Sequence, residues 1–342
     1  DNTRSRGLGD VYKRQLVADI GATNSRFQLA TVRLEHPVSI DLIDDALVLP
    51  TNTFHDQYHM IDEIRERINL QSSSNFICAA AGPIDAKEER VELTNVNLKL
   101  DAETLRSGIG LNTRIINDFH AAAMSIGSLR ETKTLGGNDQ SLLELASRKV
   151  VLGPGTGLGS AFVNGVVSEA VGYDVIESEA GHADFAPGNH LELELWSWLA
   201  RDSGHVCWED ILSGPGILRL YTAMNGIWGT STKLDTPEEV LSSGLNYEDP
   251  VCHQTVETFA GILGSMAGNM ALNSCAQGGV FLIGEIISAM TGYLADSPLR
   301  RRFEERGALS DYVSQIPIVI SADKNLGLLG AANFAAQRLS GH

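Results

Sequence analysis

The stretch LVADIGATNSRFQLA, residues 16–30, runs an apolar segment into Asp19, turns on Gly21, Ala22, Thr23 and Asn24, and leaves as a second β-rich segment. A carboxylate at a strand end, followed by a turn whose N–H groups and hydroxyl face one way, suits a phosphate and its Mg²⁺. An ordinary hairpin is the equal alternative. The pattern returns in VVLGPGTGLGSAFVNG, where Gly155 stands in the place of Gly21. Its core, GPGTGLG, is neither a dinucleotide fingerprint nor a Walker loop, because Leu158 or Ser160 occupies the third glycine position and no lysine follows. Gly155, Thr156 and Gly157 remain as a turn that lets backbone approach a phosphate.

Further polar groups stand where ligands usually bind. INDFHAA puts Asn117 and Asp118 at a strand end before a helix, on the rim of an α/β sheet. Asp118 there either caps the helix or takes the proton of an attacking hydroxyl. In ESEAGHADFAP, Glu179 and His182 offer acceptors and a donor at a spacing that suits paired sugar hydroxyls, while Glu177 reads as a solvated loop residue. Glu209 follows in CWEDILSGPG. His190 and His205 have no metal-ligand spacing. In GGVFLIGEI, Gly284 either admits a flat adenine or makes a plain strand-to-helix connection.

These groups require alternating strands and helices to hold them. Strands are expected at 16–20, 25–32, 75–81, 91–94 and 113–116, with a helix between Asp56 and Asn69 and another from the Asp101 N-cap to near Gly108. TKTLGGNDQS reads as a linker. Beyond the second hairpin, helical spacing covers 191–201, 216–225 and 251–275, and Thr236-Pro237-Glu238-Glu239 forms a capping box with proline at the first helical position. Strands at 280–283 and 316–320 and a helix at 326–339 complete the chain. Two hairpins in two α/β halves imply two similar domains facing across a cleft. Residues 1–15, polar and aperiodic, read as a disordered tail or a gene-model artefact outside the fold.

Composition narrows the partners. The 342 residues, 43% apolar, suffice for one large or two ordinary α/β domains. With 43 acidic against 26 basic residues the net charge is −17, which disfavours nucleic acid. Cys78, Cys207, Cys252 and Cys275 form no CxxC pair, so neither zinc nor a disulfide framework is signalled and a reducing cytoplasm fits. No stretch reads as a membrane span; GGVFLIGEIISAM is interrupted by Glu285 and FAGILGSMAGNMALNSC by Asn269.

With these residues collected, the chain resembles the bacterial glucokinases of the hexokinase-like, actin-type superfamily. The matching stretches are ADIGATN, AAAGPI, LTNVN, INDFHAAAMSI, GPGTGLGSA, ESEAGHADFAP, EDILSGPGILRLY, GGVFLIGEI and GLLGAA, in family order from residue 16 to 342. The resemblance implies a two-domain α/β fold of the actin-like/RNase H-like ATPase type with a cleft between the domains. Residues 16–128 plus 322–342 would form the small domain and 129–321 the large one. It further implies ATP-dependent phosphorylation of glucose to glucose 6-phosphate by direct transfer in glycolysis. Asp118 would be the general base, with Asn95, Asn117, Asp118, Glu179, His182 and Glu209 on the sugar. Asp19, Gly21, Ala22, Thr23 and Asn24 with Gly155, Thr156 and Gly157 would hold the phosphates, Gly284 and Glu285 the adenosine, and Asp19 the Mg²⁺ through water. The family is cytoplasmic and often homodimeric. Ala22 and Glu285 depart from its pattern, which has a glycine and a small residue there, and the cysteine-rich zinc motif of the related repressor/kinase group is missing. A kinase for another hexose or amino sugar, or a non-catalytic sugar sensor, are the competing readings; a sensor would usually carry a basic helix-turn-helix, for which the N-terminal tail is too short.

Overall fold

Alternation of side chains to opposite faces shapes the first hairpin. Leu16, Ala18 and Ile20 enter one core cluster and Val17 another. The computed structural model describes residues 12–34, 38–85, 89–93, 96–137, 148–165, 172–231 and 233–340. They divide into two units, the first formed by 12–129, 172–175 and 325–340 and the second by the rest.

In the first unit β1 (Tyr12–Ile20) and β2 (Asn24–Arg33) pair antiparallel, with Asp19 opposite Arg26. Beside them lie β3 (Ser39–Pro50), β4 (Ser73–Ala80) and, after the short sheet of β5 (Ile84–Asp85), β6 (Arg90–Glu92) and β7 (Lys99–Asp101), β8 (Asn112–Asn117). The five-stranded order is β3-β2-β1-β4-β8, with β1, β4 and β8 parallel. One face packs on α1 (Gln57–Arg67) and α2 (Ala102–Ile109), through Met60, Ile64 and Leu105 against Phe27 and Phe76. The other carries α3 (Asp118–Met124) and, at the end of the chain, a helix at Leu326–Leu339 whose Leu328, Ala331, Ala332 and Ala335 meet Val17, Ile77 and Ala79. That C-terminal helix approaches α3 closely: a Cβ on Gly330 would stand 1.5 Å from the Ala121 carbonyl oxygen.

In the second unit β9 (Thr132–Leu135), β10 (Lys149–Pro154), β11 (Leu158–Gly165), β12 (Tyr173–Ser178), β13 (Val280–Leu282) and β14 (Ile318–Ser321) order as β12-β11-β10-β13-β14-β9, although the first residues of β12 group with the first unit. Helices α4 (His190–Ser203), α5 (Gly214–Trp228), α6 (Pro237–Leu245), α7 (Pro250–Ser274), α8 (Glu285–Leu294), α9 (Leu299–Glu304) and α10 (Ser310–Ser314) follow, so the C-terminal helix is α11. The capping box at Thr236 and Glu239 is formed. Helix α7 is buried along most of its length. Arg302 reaches Glu192 at 3.1 Å with both side chains nearly fully buried, and Ser265 takes a further bond from the guanidinium at 2.9 Å. A pair so buried depends on its hydrogen bonds as well as on charge; Arg302 Nε, without a hydrogen-bond partner among the described residues, stands 3.6 Å from Glu305 Oε2. Among the described residues no helix is long and apolar enough to cross a membrane.

Several elements differ from the sequence reading. Tyr12, Lys13, Arg14 and Gln15, set outside the fold, extend β1; Gln15 is fully buried, donating to Ser74 and accepting from Asn75. A strand end needs backbone pairing more than apolar side chains, and β2 supplies it. The acidic, half-exposed β3 was not expected. Residues 132–135, read as linker, pair with β14 as an edge strand, while the rest of that stretch from 138 onward lies outside the described residues.

Candidate active site

The first unit presents its candidate groups on one edge of the five-stranded sheet. Ile20, Ala80 and Asn117 stand level at the ends of β1, β4 and β8. With one strand between them, β1 and β8 are roughly 10 Å apart, so Asp19 and Asp118 occupy the same rim of one rigid sheet. The Asp19 carboxylate faces the start of α11, where a Cβ on Gly327 would lie 2.6 Å from its Cγ. Arg26 stands 3.7 Å from it. Beneath it, burial and then the Asp19 charge push the Cys78 thiol far above its usual range, so that sulfur is an inert core group.

The turn after Asp19 is pinned from one side. Gly21 N–H donates to Asn24 O at 3.0 Å and Thr51 N–H to Thr23 O at 2.9 Å. The buried Thr51 hydroxyl donates to Gly21 O at 2.7 Å and accepts from Ser25 at 2.9 Å. The N–H groups of Ala22 and Thr23 donate to no acceptor among the described residues, in a turn where Thr23 is exposed. Such a pair of accessible donors suits an anion.

At the end of β8 the capping role falls to Asn117. Its Oδ1 accepts from Phe119 N at 2.9 Å and His120 N at 3.0 Å, while its Nδ2 donates to Gly82 O at 3.3 Å. Asp118 is the first residue of α3 and accepts from Phe119 N at 2.8 Å. A plain cap is thus already provided by its neighbour. Asn95 lies outside the described residues.

In the second unit the turn Gly155-Thr156-Gly157 joins β10 to β11. Gly155 N–H donates to Gly157 O at 2.8 Å, and Gly155 O accepts from Gly214 N at 2.7 Å at the start of α5. As in the first hairpin, the carbonyl of the leading glycine is tied down and the N–H groups of Thr156 and Gly157 find no acceptor among the described residues. Beside this turn, Glu179 opens a short 3-10 turn at Ala180–His182, with His182 N donating to Glu179 O at 3.0 Å. Glu209 is held to it by its own N–H, which donates to Gly181 O at 2.9 Å. The Glu209 carboxylate in turn accepts from Leu158 N at 2.8 Å. Gly181 is needed for this approach, since a Cβ there would lie 2.5 Å from Leu158 O. Glu179, His182, Glu209 and the Gly155–Gly157 turn therefore form one contiguous assembly within the unit.

Gly284 follows β13 with φ of 104°, in the region that favours glycine, and its missing Cβ would point at Pro154 O at 3.3 Å. Glu285 is the exposed first residue of α8, where a carboxylate complements the helix dipole. Thr51 carried no sequence signal, and Gly214 and Gly327 stood only within quoted stretches; each acts through contacts to residues distant in the chain.

The family model for Glucokinase matches residues 16–338. The glucokinase of Chromobacterium violaceum is 32% identical over 343 residues, covering 98% of this chain and 93% of its own. A glucokinase crystal structure from an Antarctic psychrotroph superposes with a TM-score of 0.77 at 29% identity, over 94% of this chain and 98% of that one. A ROK-family glucokinase from Streptomyces griseus, solved with glucose and AMPPNP, shares the fold with a TM-score of 0.60 at 17% identity, over 94% and 98% of the two chains. The architecture is accordingly the two-domain actin-like α/β fold.

Proposed function

The chain belongs to the glucokinase family, and from that premise we propose that it transfers the γ-phosphoryl group of ATP directly to the 6-hydroxyl of glucose. O6 attacks the γ-phosphorus, its proton passes to the Asp118 carboxylate, and the bond from the γ-phosphorus to the bridging oxygen of ADP breaks. Proton removal of this kind contributes roughly 10²- to 10⁴-fold; positioning and charge neutralisation supply the rest. The observation that carries the reading is the division of labour at the end of β8. Asn117 caps α3, so the position of Asp118, on the same sheet rim as the Asp19 turn, is not explained by helix capping.

The accessible N–H pairs of Ala22 and Thr23 and of Thr156 and Gly157 take the phosphate oxygens. Gly284, whose backbone lies against the Pro154 end of β10, takes the adenosine, with Glu285 at its edge. Asn95, Asn117, Glu179, His182 and Glu209 take the sugar hydroxyls. Asp19 is the residue that would hold Mg²⁺: one hard carboxylate oxygen donor beside phosphate-facing N–H groups is the complement that ion uses when phosphate and water complete its shell. Bound there, the ion neutralises charge developing on the phosphates.

A coupled assay with ATP, ADP and polyphosphate across glucose, mannose, fructose, galactose and N-acetylated amino sugars tests the assignment. Fastest turnover on glucose with ATP is expected. Preference for an N-acetylated sugar, or sugar binding without turnover on any donor, would overturn it.

A further inference from the structure

The Gly157–Leu158 peptide belongs to the turn assigned above to phosphate, yet its N–H points at a group assigned to sugar. Leu158 N donates to Glu209 Oε2 at 2.8 Å. The Glu209 backbone is fixed on both sides, its N–H on Gly181 O at 2.9 Å and its carbonyl accepting from Ser213 Oγ at 2.8 Å. With the main chain so held, the Leu158 N–H is what sets the direction of the carboxylate.

Gly157 is shaped to this bond. A Cβ there would stand 2.6 Å from Glu209 Oε2, 3.3 Å from its Cδ and 3.8 Å from its Oε1, so the three nearest atoms all belong to that one carboxylate. Its φ lies outside the left-handed region, so the backbone itself does not require glycine. Gly155, two residues earlier in the same turn, has nothing within 4 Å of the corresponding point. The turn thus has one glycine with open space around it and one whose missing side chain leaves room for a carboxylate.

We propose that Gly157 and the Leu158 N–H are positioning elements of the sugar site: they hold Glu209 in its glucose-binding orientation, and the turn that binds phosphate is thereby mechanically joined to the turn that binds sugar. One carboxylate oxygen is committed to the hairpin and the other is directed to a glucose hydroxyl. The inference rests on the assignment of Glu209 as a sugar ligand. It adds that a side chain at Gly157 alters glucose affinity even with no nucleotide present.

The test is glucose titration of the nucleotide-free protein by calorimetry, with tryptophan fluorescence as a second readout, for G157A, E209A, the double variant G157A/E209A and, as a control in open space away from the site residues, G292A. Thermal unfolding confirms that each is folded. G157A is expected to weaken glucose binding by roughly ten- to a hundredfold, the loss associated with a hydrogen bond to a charged group, while G292A leaves glucose affinity unchanged. In the E209A background, G157A should add nothing, because the clash has no carboxylate to displace. Parent-like glucose affinity in G157A together with weakened binding in E209A overturns the coupling and leaves the sugar assignment standing. An equal loss from G157A with and without Glu209 also overturns the coupling. Unchanged affinity in E209A overturns the sugar assignment on which it rests.

Discussion

Replacing Asn117 by alanine removes both hydrogen bonds that close the first turn of α3, to Phe119 N at 2.9 Å and His120 N at 3.0 Å, and the bond to Gly82 O at 3.3 Å. Loss of an N-cap side chain costs about 1 kcal/mol, within a range of roughly 0.5–2. The helix spans only 7 residues, so little remains to hold its start, and the upper part of that range is expected. Asn117→Asp separates the two roles given to this residue. Aspartate caps as well as asparagine and is favoured by the helix dipole, but it cannot donate from the position of Nδ2. Urea unfolding should therefore place Asn117→Ala about 1–2 kcal/mol below the parent and Asn117→Asp within about 1 kcal/mol of it, since Asp still loses the Gly82 contact. Glucose KM should rise in both. Parent-like stability of Asn117→Ala would refute the capping argument, and a parent-like glucose KM in Asn117→Asp would reduce Asn117 to a cap.

Two further outcomes follow from the first unit. Gly327→Ala puts a methyl 2.6 Å from Asp19 Cγ, so steady-state kinetics should show kcat/KM for ATP falling by about tenfold or more while nucleotide-free glucose affinity holds; an unchanged ATP dependence would remove Asp19 from the phosphate site. The hydrogen bond from Arg90, then that from Thr104 N, lowers the Asp101 carboxyl to about 2, so the stability it lends is present above its unfolded value of about 4 and lost as pH falls from there towards 2. Asp101→Asn should flatten the fall in unfolding midpoint between pH 5 and pH 3, and an identical slope in the two proteins would exclude that contribution.

The sequence carried the two glycine turns clearly, because a strand interrupted by Gly, Thr and Asn has few other conformations. The C-terminal helix at 326–339 was equally legible from its apolar spacing. Edge strands were not. β3 contains Asp41, Asp44 and Asp45, and β9 is exposed along most of its length; both are held by backbone pairing that side-chain pattern does not encode. Short helices such as α9 and α10 give too few turns for a period to emerge. At the site, residue types marked Asn117 and Asp118 but not which of them caps the helix. The contact between Leu158 N and Glu209 spans 51 residues, and the approach of Gly327 to Asp19 joins opposite ends of the chain, so neither leaves a local trace.

The central claim is that Asp118 accepts the proton of the attacking hydroxyl. Asp118→Asn retains the shape of the side chain and removes the base, so glucose titration and turnover should be measured on the same preparation. Glucose affinity is expected within about twofold of the parent and kcat lower by about 100-fold or more. Parent-like turnover in Asp118→Asn would contradict the account.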